Sequence, residues 1–278
     1  MEKKIITILG TRPEIIRLSC IIKKLDNSFK HILVNTNQNY DKNLNKVFFN
    51  QLRLRSPKYS LKIKNKSPIE FIGKTLIEVD KILDKERPDG VIVLGDTNSG
   101  LSAMCAKKRK IPIFHLEAGN RCHDERVPEE INRRIIDHFS DINLTYSNYA
   151  TSNLVGEGIP KDRIIKLGSP LFEVYETFKK DIQKSSIIKK LGLEKKKYIL
   201  ASVHREENVD IKSKLIEIML SLDHVSKKYN LPIIFSTHPR TEKKIKQLKF
   251  KSKKLLFFKP FNFYDYANLM GNCKLIMS

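Results

Sequence analysis

Val91–Asn98 reads VIVLGDTN and Ile111–Arg121 reads IPIFHLEAGNR. Each opens on a short apolar run and then breaks into a polar turn beside a glycine. Apolar runs of this length, bounded by turn residues, fit strands buried on both faces of a parallel sheet. A third stretch of the same form, YILASVHREEN, covers Tyr198–Asn208. Asp96, Glu117 and His204 therefore fall at the carboxyl ends of strands, the edge of an open α/β sheet where ligands are held. Two carboxylates and a histidine directed into one crevice suit proton transfer on an anionic substrate.

Working outward, strands and helices alternate. Further strands are predicted at Ile5–Leu9, His31–Asn35, Gly90–Leu94, Ile111–Leu116, Ile142–Tyr146 and Ile164–Leu167. Phe71–Leu83 carries apolar residues at helical spacing, and Asn98 and Ser99 can begin a helix that runs on through Ala103–Lys108. A second series begins near Lys197, with strands at Tyr198–Val203, Pro232–Thr237, Leu255–Lys259 and Lys274–Met277 and helices at Lys212–Tyr229 and Phe263–Met270. Strand–helix–strand repetition with short connections implies right-handed crossovers and parallel sheets covered on both faces. The Gly168-Ser169-Pro170 turn reads as a hinge between residues 1–168 and 169–278. The predicted architecture is α/β: two Rossmann-like, doubly wound domains facing a cleft. The last strand stops at Ile276-Met277-Ser278, so the second domain reads as unfinished.

The chain has 278 residues, 40% hydrophobic and 30% charged, which suits a globular protein with a substantial core. Its apolar runs fall short of the roughly 18 residues needed to span a bilayer. The amino-terminal MEKKIITILGTRPEI reads as a first strand rather than a signal peptide, which places the protein in the cytoplasm with no membrane partner. Cys20, Cys105, Cys122 and Cys273 are scattered without metal or redox spacing. The net charge of +22 invites a nucleic-acid reading. The lysines, however, are spread through helices and loops without interleaved aromatics, so a solvated basic surface that gathers a diphosphate is preferred over a nucleic-acid partner.

Gly10-Thr11-Arg12-Pro13-Glu14 follows the first strand. Gly10 permits a sharp turn, Pro13 suits the start of a helix, and a helix amino terminus beside an arginine can hold an anion. A capped turn with a surface arginine would give the same letters. The sequence has no GxGxxG, which argues against a nicotinamide or flavin bound in the usual manner, and no metal-ligand spacing. Asp96, Glu117 and Glu129 form a carboxylate set. Clustered in a cleft, such groups shift one another's proton affinity, so that one acts as base and another as acid. Helix-dipole and capping roles for Glu129 and Asp96 are the plainer alternatives. His204-Arg205 and His238-Pro239-Arg240 both follow strands and can meet a pyrophosphate.

Taken together and in order, GTRPEIIR, LGDTNSG, HLEAGNRC, VPEEINRRIIDH, VHREEN and STHPR resemble the non-hydrolysing UDP-N-acetylglucosamine 2-epimerases over essentially the whole chain. The short connection from Glu117 to Pro128 resembles most the branch that forms UDP-N-acetyl-L-fucosamine from UDP-2-acetamido-2,6-dideoxy-L-talose for surface polysaccharides. The enzymes that make UDP-N-acetylmannosamine are the near alternative. The resemblance implies a fold like that of B-type glycosyltransferases, a homodimer, and a cofactor-free elimination and re-addition of UDP through a 2-acetamidoglycal. It implies acid/base roles for Asp96, Glu117 and Glu129, and a diphosphate contact at His204 that activity requires. It further implies nucleotide or substrate contacts at Arg12, Arg17 (where the family often has lysine), Arg205 and His238, and a uracil contact at Tyr266. Asn37 stands where the family commonly has glycine, and asparagine tolerates left-handed backbone. The family continues beyond the last residue here with a phosphate-holding turn, so weak UDP binding and poor or no turnover are expected of this chain. A glycosyltransferase, or a non-catalytic nucleotide-sugar-binding remnant, is the alternative function.

Overall fold

The computed structural model describes residues 2–38, 42–203, 211–237, 241, 244–245, 247–248, 250 and 252–278. These form two compact units, Met1–Thr177 and Phe178–Ser278. In chain order the first contains β1 (Lys4–Leu9), α1 (Arg12–Ser28), β2 (Lys30–Asn35), α2 (Lys42–Gln51), β3 (Tyr59–Ser60), α3 (Pro68–Glu86), β4 (Gly90–Leu94), a 3-10 turn (Gly100–Ala103), α4 (Met104–Lys108), β5 (Ile113–Ala118), α5 (Pro128–Phe139), β6 (Ile142–Thr145), α6 (Asn148–Gly156) and β7 (Ile164–Lys166). Helix α7 (Leu171–Gln183) carries the chain onward. The second unit contains α8 (Ile187–Lys190), β8 (Ile199–Ala201), α9 (Lys212–Tyr229), β9 (Ile233–Ser236), β10 (Leu255–Phe258), α10 (Phe263–Asn272) and β11 (Leu275–Met277).

The first sheet runs β3-β2-β1-β4-β5-β6-β7, with every pairing parallel. All five residues of β4 are buried. A run of Val, Ile and Leu with no polar face can only be satisfied by helices on both sides of the sheet, which is why the alternation is read correctly from sequence. On one face, Ile6, Ile8, Val34, Val91 and Val93 pack with Phe71, Val79, Ile82 and Leu83 of α3 and Ile136 of α5. Each such side chain, fully buried, contributes about 1.5–3 kcal/mol. Helix α3 is fixed at its start by Pro68 and by Ser67, whose hydroxyl accepts from Glu70 N–H at 3.2 Å.

Strand order turns back between β1 and β4, so the polar ends of these two strands flank the switch point of the sheet. Ligand-binding crevices open there because the helices leave in opposite directions. The second sheet, β10-β9-β8-β11, is also all parallel and packs Leu215, Met219 and Leu222 of α9 against Ile199, Ile233, Phe235 and Leu255. No helix among the described residues is long and apolar enough to cross a membrane.

Three local expectations change. β5 starts at Ile113 rather than Ile111 and continues past Leu116 to Ala118. Pro112 has no N–H to give the ladder, and Glu117 belongs to the strand as an irregular residue, not to the turn after it. Ser99 does not cap a helix through its side chain; its hydroxyl is held by Thr36 Oγ1 at 2.7 Å and Gln38 Oε1 at 2.8 Å, and the chain enters a 3-10 turn first. Gly10 is required by closeness, since a Cβ there would collide with the hydroxyls of Thr36 and Ser99.

Candidate active site

The turn after β1 is organised by Glu14. Its Oε2 accepts from Gly10 N–H at 3.0 Å, Thr11 N–H at 2.8 Å and Thr11 Oγ1 at 2.7 Å, and its Oε1 accepts from Thr97 Oγ1 at 3.0 Å. One buried carboxyl thus ties the β1 turn to the β4 turn across the switch point. Burial outweighs these four contacts and pushes Glu14 from 4.5 up to about 7. The folded chain then keeps a proton that the unfolded chain has already released. Stability is full below the unfolded value and declines as pH rises from about 4.5 to about 7, by about 3 kcal/mol in all. Urea denaturation across this range should show the decline in the parent chain, and Glu14→Gln, which cannot ionise, should remove it. A parallel decline in both proteins would remove Glu14 as the cause.

Asp96 and Glu117 are brought together by Arg133, in the second turn of α5. Its Nη2 donates to Asp96 Oδ2, its Nη1 donates to Glu117 O at 2.7 Å, and the same Nη1 lies 3.6 Å from Glu117 Oε1. Arg17 of α1 donates to Glu117 Oε2. Asn132 completes the clamp by donating to Asp96 O at 3.0 Å and Asn98 Oδ1 at 2.9 Å. Two carboxylates from adjacent strand ends therefore share one guanidinium, in a place where Arg133 and Glu117 are each only 8% exposed. At that burial an unshared charge would be costly, and the guanidinium supplies the opposite charge to both carboxyl groups.

Glu117 has φ +65°, in the left-handed region, at the register shift between Leu116 and Ala118. A non-glycine residue there costs roughly 1–2 kcal/mol. Such strain gathers at functional sites, and a bulge re-aims a side chain that regular pleating would send elsewhere. Asn37, at φ 55°, also takes left-handed backbone, which asparagine tolerates.

A buried charge network underlies the β5 turn. His115 Nε2 lies 2.7 Å from Gly95 O and Nδ1 lies 2.8 Å from Asp137 Oδ1. Asp137 accepts from Gly119 N–H at 3.2 Å and meets Arg121 Nη2 at 2.8 Å. Burial alone would raise Asp137, but His115 and Arg121 outweigh it and hold the carboxyl below its usual value. The network joins the turn that carries Asp96 to the turn that follows Glu117.

The other candidate residues are distributed as follows. Glu129 is exposed in the first turn of α5. It stands three residues before Asn132 and four before Arg133, which puts it on the helix face that reaches the two strand ends. Arg12 opens α1, with its guanidinium 5.9 Å from the Phe48 ring centre. Tyr266 is partly buried in α10 and packs on the cluster of Ile187, Tyr198, Leu200, Ile234 and Leu269. His204, Arg205 and His238 lie outside the described residues. Sequence reasoning missed Glu14, His115, Arg133 and Asp137. The Arg133-Arg134 pair was visible, but a charged pair on an amphipathic helix reads as solvent-facing.

The two parallel sheets, each covered by helices, define an α/β protein of the Rossmann-like class. A family model described as UDP-N-acetylglucosamine 2-epimerase matches residues 23–278, and the chain belongs to that family. It is similar to the UDP-N-acetylglucosamine 2-epimerase of Methanocaldococcus jannaschii, 40% identical over 99% of this chain and 78% of that protein. The crystal structure of that enzyme in complex with UDP-GlcNAc and UDP superposes with a TM-score of 0.91. A UDP-N-acetylglucosamine 2-epimerase structure from Rickettsia bellii is 47% identical, with a TM-score of 0.91 over 99% of this chain and 74% of that one. The UDP-2,3-diacetamido-2,3-dideoxy-D-glucuronate 2-epimerase of Pseudomonas aeruginosa is 35% identical over 89% of this chain and 70% of its own length.

Proposed function

We propose that the chain catalyses 2-epimerisation of a UDP-N-acetylhexosamine, with UDP-N-acetylglucosamine as the first substrate to test. The observation that carries this reading is the pairing of Asp96 and Glu117 through Arg133 at neighbouring strand ends. One carboxylate removes the proton from carbon 2 as the bond from carbon 1 to the diphosphate oxygen breaks. The electrons of the C–H bond become the C1=C2 double bond of a 2-acetamidoglycal, and UDP departs with the C–O pair. Re-addition of UDP at carbon 1, with protonation of carbon 2 on its other face, completes the inversion. Two carboxylates on separate strands suit this because removal and return of the proton occur on opposite faces of the ring. Glu129, on the same side of α5 as Arg133, is the third member of the set. Arg17 supports the site by pairing with Glu117, which holds the carboxylate in place.

A second substrate reading rests on the short Glu117–Pro128 connection, which favours the 2-acetamido-2,6-dideoxy-L-talose series. Incubating the purified chain in heavy water with each nucleotide sugar, followed by proton NMR, tests both. Deuterium at carbon 2 is expected with one of them. Asp96→Asn and Glu117→Gln should each slow its appearance by about 10²–10⁴-fold. Absence of exchange with both sugars would count heavily against the epimerase reading, and transfer of the sugar to an added acceptor would replace it with a glycosyltransferase.

A further inference from the structure

Three adjacent strands deliver a polar residue to the same edge: Asp96 after β4, Glu117 in β5 and Tyr146 directly after β6. Ala118 pairs with Thr145, so Glu117 stands one residue before this pair and Tyr146 one residue after it, at the same end of the two strands. Tyr146 differs from the others in having nothing to bind. Its hydroxyl is buried and has no hydrogen-bond partner among the described residues. A buried hydroxyl without a partner is costly, and native proteins retain few of them without a reason. The charged groups that act on it are Glu117 of β5, Arg17 of α1 and Arg133 of α5, which are the groups that define the carboxylate site. Burial, then the charge of Glu117, pushes the phenol well above its ordinary value. The hydroxyl therefore keeps its proton and remains a donor.

We propose that Tyr146 is a substrate-contacting specificity residue whose hydroxyl donates a hydrogen bond to the 2-acetamido carbonyl oxygen of the sugar. This rests on the epimerase reading above. If Glu117 works at carbon 2, the other substituent of that carbon lies beside it, and a neutral amide oxygen is the acceptor a neutral phenol can satisfy. The two arginines carry charge already matched by carboxylates, which leaves the uncharged acetamido group to an uncharged donor.

Calorimetric titration of the parent chain and Tyr146→Phe with UDP-GlcNAc, UDP-glucose and UDP tests the assignment. Tyr146→Phe should bind UDP-GlcNAc about tenfold more weakly, the loss of roughly one hydrogen bond. Its affinities for UDP-glucose, which lacks the acetamido group, and for UDP should not change. Since no internal bond is lost, the melting temperature without ligand should hold or rise. Equal UDP-GlcNAc affinity in the two proteins would overturn the inference alone, as would an equal loss with UDP-glucose or a clear fall in the unliganded melting temperature. A parent chain that binds no nucleotide sugar would overturn the epimerase reading and this inference with it.

Discussion

Arg133→Met should reduce carbon-2 exchange by about 10³-fold, equivalent to about 4 kcal/mol in the barrier. Arg133 touches both Asp96 and Glu117, so its loss leaves two like charges in a largely buried place with no shared counter-charge. Removing one partner of a buried pair generally costs about 3–5 kcal/mol, because the partner left behind stays desolvated. Methionine keeps the length and apolar stem of the side chain and removes only the guanidinium. Lysine restores a charge but has no planar fork to meet a carboxylate and a backbone carbonyl together, so Arg133→Lys should recover a minor part of the rate. If Arg133→Met and Asp96→Asn act through one unit, the double variant should be little slower than the worse single. Exchange at the parent rate in Arg133→Met would show that the clamp has no part in the chemistry.

Gly119→Ala should destabilise the fold by about 4 kcal/mol, at the upper end of single-residue effects. Gly119 has φ +77°, and an added Cβ would collide with the backbone carbonyl of Ala150 and lie 2.8 Å from Leu154 Cγ. Neither can withdraw, because Asn153 donates to Gly119 O at 2.9 Å and Asp137 accepts from its N–H. The turn is therefore wedged between α6 and the buried carboxylate, and relief must come from moving the residues that hold Glu117. Gly156→Ala, where the new methyl meets nothing within 4 Å, is the control and should be neutral or slightly stabilising. Urea midpoints of the two variants give the comparison, and equal midpoints would show that the wedge yields without cost.

The sequence disclosed the strands because each buried run is short, apolar and closed by a polar turn, and that pattern survives without knowledge of neighbours. Asp96 was legible for the same reason, since the end of a buried strand fixes where its first polar residue stands. Arg133 was not, because its partners Glu117 and Asp96 lie 16 and 37 residues away, separations that no local pattern reports. Glu14 passes in sequence for an ordinary acidic residue at a helix start, because the Thr97 hydroxyl that meets it comes from another strand end. His115 reads as one more residue in an apolar run until Asp137 and Gly95 are seen on either side of it. The backbone of Glu117 had no signal at all, since nothing in the propensity of glutamate announces a positive φ.

Position 117 would be an early target in breeding sturdier versions of this chain. Glycine would sit at position 117 with no backbone penalty, whereas glutamate holds the same shape against its own preference. A screen that rewards heat resistance alone would be drawn to discard the carboxylate, and, with the acid/base role proposed for Glu117, a screen that rewards turnover would be compelled to keep it. Selection pressure, more than any contact, would decide which residue stands there.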